Sequence, residues 1–140
     1  MQGRNKHRLF VYGTLRKGGT NDHYLQQSEL VEDTCWIIGE MHNTPFGYPI
    51  VRFRGQEKIR GELYAVTSEE LIRIDELEGY NPEGKSENEY ERVECTVYTD
   101  ESETNAYTYI AGIGFANINE PIVGGDWLGF LAGKKCISLL

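Results

Sequence analysis

Apolar and polar positions alternate along much of this chain with period two, and only one stretch follows a helical period. Leu9-Phe10-Val11-Tyr12 reads as a short apolar strand ending at Gly13. A Gly-rich turn from Thr14 to Asn21 follows, then a helical turn through Asp22 to Ser28. Thr34–Met41, Tyr48–Phe53 and Lys58–Val66 read as three further strands, with Gly61 marking a bulge or a close approach. Two alternating strands, Tyr90–Thr99 and Asn105–Ile110, flank the acidic turn Asp100–Glu103, and Asp126 caps a short amphipathic helix to Leu131. Many short strands with few helices predict an α+β fold: a closed or strongly curved antiparallel sheet with helices packed outside.

The helical stretch is Ser68–Glu78. Thr67 with Glu70 forms a capping-box start, and Gly79 is the stop. At roughly 100° per residue, Leu71, Ile72, Ile74 and Leu77 make an apolar stripe, and Glu78 falls within about 25° of its centre. Asp75 sits at the stripe's edge. A carboxylate facing a core at the negative end of a helix has two reasons for a raised pKa. Such a Glu can take and return a proton near neutral pH. The alternative is a frayed last turn that lets Glu78 reach water.

Length and charge narrow the partners. The chain of 140 residues suits a single domain, its core spanning about residues 8–131. A net charge of −8 argues against nucleic acid and anionic membrane surfaces as partners. No apolar run reaches the length of a bilayer span or a signal peptide, so a cytoplasmic protein is expected. Cys35, Cys95 and Cys136 are far apart and lack ligand spacing, so no metal is expected. Nothing in the pattern speaks to oligomeric state.

Several chemistries fail on spacing. Gly13 and Gly18 are in P-loop register, but Gly19 occupies the lysine position. His7, His23 and His42 have no paired nucleophile motif. Asp75 or Glu76 with Glu78 cannot flank a sugar from opposite sides, because they share one helix. The turn after Tyr12 offers either an ordinary loop or a nest of backbone N–H groups for an anion. Tyr90 and Arg92 share a strand face, where they either fix a bound acid, orient Glu78, or form a surface stacking pair.

Four segments together resemble the γ-glutamylcyclotransferase-like family. They are Val11-Tyr12-Gly13-Thr14-Leu15-Arg16, Leu77-Glu78-Gly79-Tyr80, Tyr90-Glu91-Arg92 and Gly125-Asp126-Trp127-Leu128, in the family's order, within Leu9 to Leu131. The resemblance implies a small curved, mostly antiparallel β-barrel with a few helices around it. It implies Glu78 as catalytic acid/base, and a γ-glutamyl group held by Tyr12, Gly13, Thr14 and Leu15, with Tyr90 and Arg92 beside it. The implied substrate is a small γ-glutamyl amine or peptide, closed to 5-oxoproline without a cofactor. A γ-glutamyl lyase step in a biosynthetic pathway and a non-catalytic γ-glutamyl-binding module are the alternatives. The loops Asn43–Tyr48 and Asn81–Asn88 carry no readable leaving-group signature.

Overall fold

The computed structural model describes residues 6–83 and 89–138, the last five by their backbone alone. Residues 84–88 of the expected Asn81–Asn88 loop, and the Cys136 side chain, lie outside that description. Five strands close into a barrel: β1 (Lys6–Val11), β2 (Glu29–Asn43), β3 (Pro49–Thr67), β4 (Tyr90–Tyr98) and β5 (Glu103–Ala111), in the order β1-β3-β2-β4-β5. Helix α1 (Ser68–Leu77) joins β3 to β4, and α2 (Trp127–Ser138) follows the sheet.

All neighbours are antiparallel except the closing pair, where β5 runs parallel to β1 with Leu9 opposite Tyr107. Side chains reinforce this brief seam. The Tyr12 hydroxyl donates to the Tyr109 carbonyl at 2.6 Å, and the Thr108 hydroxyl donates to the Phe10 carbonyl at 3.0 Å. Alternation along β1 sends Leu9 and Val11 to one apolar cluster, Phe10 and Tyr12 to another. The strand is buried on both faces, which explains its unbroken apolar run.

The two strands expected at Tyr48–Phe53 and Lys58–Val66 are one strand, β3. The polar run Arg54-Gly55-Gln56-Glu57 reads as a turn in sequence. In the fold it is a bulge: Glu40 pairs with Arg52 and its neighbour Gly39 with Glu57, while Gly55 takes a φ of 79°. The expected strand at Thr34–Met41 likewise extends, with register shifts, from Glu29 to Asn43. These irregularities let long strands curve far enough to close. Gly61 is a close approach: a Cβ there would meet the Val11 carbonyl oxygen at 2.2 Å.

Helix α1 forms as its signals dictate. The Thr67 hydroxyl accepts from the Glu70 N–H at 3.2 Å, and the Glu70 carboxylate accepts from the Thr67 N–H at 2.8 Å. At the other end Gly79 has φ 65°, Tyr80 N–H bonds the Asp75 carbonyl at 2.9 Å, and Gly79 N–H bonds the Glu76 carbonyl at 3.2 Å. This is a Schellman close. The buried face differs from the expected stripe. Ile72 is 59% exposed, whereas Leu71, Ile74 and Asp75 are buried. Leu71, Ile74, Asp75 and Glu78 therefore share the inner face at i, i+3, i+4 and i+7. Asp75 belongs at the centre of that face, because two partners described below satisfy its carboxylate.

Candidate active site

Where β1 ends, the chain cannot continue straight, because Pro49 stands beside Gly13. A Cβ on Gly13 would meet the Pro49 ring at 2.9 Å. The chain turns there, and Arg16 N–H closes the turn on the Gly13 carbonyl at 3.1 Å. The backbone N–H groups of Gly13, Thr14 and Leu15 have no acceptor among the described residues. They border a cavity of about 220 Å³. Three successive N–H groups at a concave turn suit an anion.

The turn is held from behind. The Arg16 guanidinium bonds Glu62 at 3.2 Å and Asp126 at 2.9 Å. Glu62, itself buried, also accepts from the Lys17 N–H at 2.9 Å and the Tyr64 hydroxyl at 3.1 Å. Asp126 caps α2 as expected, accepting from the Gly129 N–H at 3.2 Å. Loop, strand β3 and helix α2 are thus joined through one guanidinium.

Glu78 lines the same cavity as Tyr12, Gly13, Thr14, Leu15 and Tyr90. Its N–H still bonds the Ile74 carbonyl at 2.9 Å, so the last turn of α1 is closed rather than frayed. The residue is partly buried, and the cavity gives its carboxyl an outlet. Desolvation, with the carboxylates of Glu89 and then Asp75 nearby, pushes its pKa up to about 8. Burial and the Glu78 charge also hold the Tyr12 phenol well above its ordinary value. Tyr12 and Tyr90 act here as donors of fixed hydrogen bonds, Tyr90 to the Pro49 carbonyl at 2.5 Å.

Arg92 is placed differently from its strand neighbour Tyr90. Its guanidinium donates to Asp75 Oδ2 at 2.6 Å and lies over the rings of Tyr107 and Tyr80, at 4.9 and 5.3 Å from their centroids. It is not among the cavity-lining residues. The other Asp75 oxygen accepts from the Tyr109 hydroxyl at 2.5 Å. Arg92 thus reaches the cavity only through Asp75, one helical turn before Glu78.

Sequence reasoning missed part of the lining: Asn21, Tyr48, Pro49, Glu89 and Tyr109. Glu89 just precedes β4, so strand alternation says nothing of where it points. Tyr48 stands where the Asn43–Tyr48 loop meets the expected strand Tyr48–Phe53, a position with no sign of a cavity. His7, His23 and His42 line no part of the cavity; His7 bonds Ser68 at 2.9 Å and His42 bonds Glu40 at 2.5 Å. Among the described residues, no group of three His, Cys, Asp or Glu could hold a metal ion. No helix there is long and apolar enough to cross a membrane.

Known proteins resemble this chain in sequence and in fold. A Niallia circulans γ-L-glutamyl-butirosin B γ-glutamyl cyclotransferase is 39% identical over 102 residues, 73% of this chain but 65% of that protein. A putative γ-glutamylcyclotransferase of Halalkalibacterium halodurans is 32% identical over 102 residues, 72% of this chain and 88% of the relative. The crystal structure of YkqA from Bacillus subtilis superposes with a TM-score of 0.76 at 26% identity, covering 94% of this chain and 43% of YkqA. The family model described as γ-glutamyl cyclotransferase, AIG2-like, matches residues 9–129. That span takes in both the Gly13–Leu15 turn and Glu78, and the chain belongs to this family.

Proposed function

We propose that this protein is a γ-glutamyl cyclotransferase that closes the γ-glutamyl group of a small amine or peptide into 5-oxoproline and releases the free amine. The substrate's own α-amine is the nucleophile. It attacks the γ-carbonyl carbon, a new N–C bond forms, and the amide bond to the leaving amine breaks. The attacking nitrogen gives up two protons, one from the α-ammonium before attack and one from the tetrahedral intermediate. One must reach the departing nitrogen, and the other ends on solvent or on the released amine as its ammonium. In this reading Glu78 takes a proton from the attacking nitrogen and gives one to the departing nitrogen. Its raised pKa of about 8 brings it closer to an α-ammonium than an ordinary carboxyl is, which makes the proton transfer from the substrate less uphill. The N–H groups of Gly13, Thr14 and Leu15 hold the substrate's α-carboxylate or the oxyanion. Walls formed by Tyr12 and Tyr90 keep the substrate folded back in its near-attack shape.

One observation carries the reading: a carboxyl with a raised pKa shares a small cavity with three unpartnered backbone N–H groups. The test is 5-oxoproline release, measured by mass spectrometry, from a panel of γ-glutamyl amines, dipeptides and glutathione. Glu78→Gln should reduce release by ~10²–10⁴-fold. Full activity in Glu78→Gln would remove Glu78 from its role. Binding without release across the panel would favour a γ-glutamyl-binding module.

A second reading keeps the chemistry and enlarges the leaving group. The Niallia circulans relative is named for γ-L-glutamyl-butirosin B, so removal of a γ-glutamyl group from a larger biosynthetic intermediate is the alternative role. A cavity of about 220 Å³ is smaller than sites that enclose whole ligands, roughly 300–1,000 Å³. The leaving amine would therefore protrude, and its size would be little restricted. Turnover confined to bulky γ-glutamyl amines would select this role.

A further inference from the structure

Among the described residues, the cavity is lined by acidic and no basic side chains. Among its lining residues the ionisable groups are Glu78, Glu89 and tyrosines, with no Lys, Arg or His. Two guanidiniums are paired with carboxylates, Arg16 with Glu62 and Asp126 and Arg92 with Asp75. Arg52, which does not line the cavity, donates one nitrogen to the Phe115 carbonyl at 2.7 Å and buries its Nη1 without a partner among the described residues. Glu89 is solvent-exposed and has no cationic partner among the described residues. Its backbone is fixed at both ends, with its N–H bonded to the Gly79 carbonyl at 3.3 Å and its carbonyl accepting from Gly112 N–H at 2.8 Å. Glu89 is thus a preset charge on the cavity wall.

An aromatic rim lies beside it. Tyr48 lines the cavity together with Glu89, and burial, with the Glu89 charge nearby, raises the pKa of its phenol. Its ring packs edge-on against buried Phe115, centroids 6.1 Å apart. Phe46, 62% exposed, also packs against Tyr48, ring centroids 5.9 Å apart. Phe46 is not part of the core, yet Tyr48 holds it next to the cavity. A carboxylate adjoining an aromatic face is the arrangement that recognises an ammonium group, through charge and through the ring quadrupole.

From this arrangement we infer that Glu89, Tyr48 and Phe46 form a leaving-group subsite selecting γ-glutamyl amines whose amine portion carries a further positive charge. The inference rests on the proposed cyclotransferase reading for where the leaving group lies. Substrates whose leaving portion bears a carboxylate, glutathione and γ-glutamyl amino acids among them, meet the Glu89 carboxylate with no compensating cation among the described lining residues. The protein's net charge of −8 acts in the same direction.

The experiment uses three γ-glutamyl compounds differing only at the far end of the leaving group: γ-glutamyl-1,5-diaminopentane, γ-glutamyl-hexylamine and γ-glutamyl-6-aminohexanoate. Release of 5-oxoproline is followed for the wild type, Glu89→Gln and Glu89→Lys. In parallel, binding of the same compounds to Glu78→Gln protein, with and without Glu89→Gln, is measured by calorimetry. The wild type should prefer the diamine over the carboxylate by about tenfold or more in kcat/KM. Glu89→Gln should reduce that ratio severalfold, and Glu89→Lys should invert it. Any effect of Glu89 on Glu78 acts on all three compounds alike and cancels in the ratio. Equal or reversed preference in the wild type, or a ratio insensitive to Glu89, overturns the subsite. If none of the compounds is turned over, the cyclotransferase reading fails separately. Calorimetry then decides the subsite alone, on whether the diamine binds more tightly and loses that advantage with Glu89→Gln.

Discussion

Asp75 and Glu78 lie one helical turn apart on the buried face of α1, and their carboxyls are treated oppositely. Asp75 is held by the Arg92 guanidinium at 2.6 Å and the Tyr109 hydroxyl at 2.5 Å. Among the described residues Glu78 has no such partner; it lines the cavity, with the carboxylates of Glu89 and Asp75 nearby. Two acids on one helix thus divide the work, one anchoring the fold and the other holding a proton near neutrality.

The pH–rate profile should report that division. In the proposed reaction an ionisation near 8 belongs to Glu78, and both neighbouring charges raise it. Asp75→Asn and Glu89→Gln should each move it to lower pH. Glu89→Gln should move it further, since Glu89 is the larger of the two charge effects. A profile unmoved by both variants would separate the observed ionisation from Glu78.

Stability should depend on the same proton. The Glu78 pKa is raised from 4.5 in the unfolded chain to about 8 in the fold, so the folded state binds more protons between those values. Its contribution is fully present below about 4.5 and is lost as pH rises through 8. Relative to Glu78→Gln, the wild type should lose stability across this window, by at most about 1.4 kcal/mol per pH unit. Urea unfolding at pH 5, 7 and 9 checks this; parallel curves for the two proteins would contradict it.

Gly61→Ala should destabilise the protein by about 1–3 kcal/mol, as overpacking does. The new Cβ would lie 2.2 Å from the Val11 carbonyl oxygen and 2.6 Å from the Phe10 ring. Because β1 leads directly into the Gly13–Leu15 turn, activity should fall along with the unfolding midpoint. An unchanged midpoint would mean that β1 and β3 separate there without penalty.

Arg16→Met leaves Glu62 buried with one N–H and one hydroxyl as its remaining partners. Breaking such a pair costs about 3–5 kcal/mol. Adding Glu62→Gln to Arg16→Met should recover part of that loss. A double-mutant cycle on denaturant unfolding reads the coupling, and strict additivity would show that the pair is not coupled.

The helix and its caps were legible because they rest on local rules: Thr67 with Glu70 at one end and Gly79 at the other. The strand ends of β1 and β4 were legible for the same reason. What misled was chemistry settled at a distance. Ile72 pulled the apparent apolar stripe outward, while Asp75 turned inward because Arg92 and Tyr109, from β4 and β5, satisfy it. Arg92 looked available to a ligand for want of any sign in the sequence that Asp75 would claim it. Glu89 and Tyr48 each stand at the edge of an expected strand, where alternation no longer fixes direction, so their meeting at the cavity had no local signature.

The parallel seam between the first and last strands also bears on how the chain folds. The Tyr12 hydroxyl meets the Tyr109 carbonyl across 97 positions of sequence. That contact demands the closure of a long loop, which makes it slow to form. The cavity wall draws on β1, the end of α1, the start of β4 and Tyr109 of β5. A partly synthesised chain lacking β5 therefore lacks both the seam and one side of the cavity. The complete cavity wall around Glu78 thus requires the closed barrel.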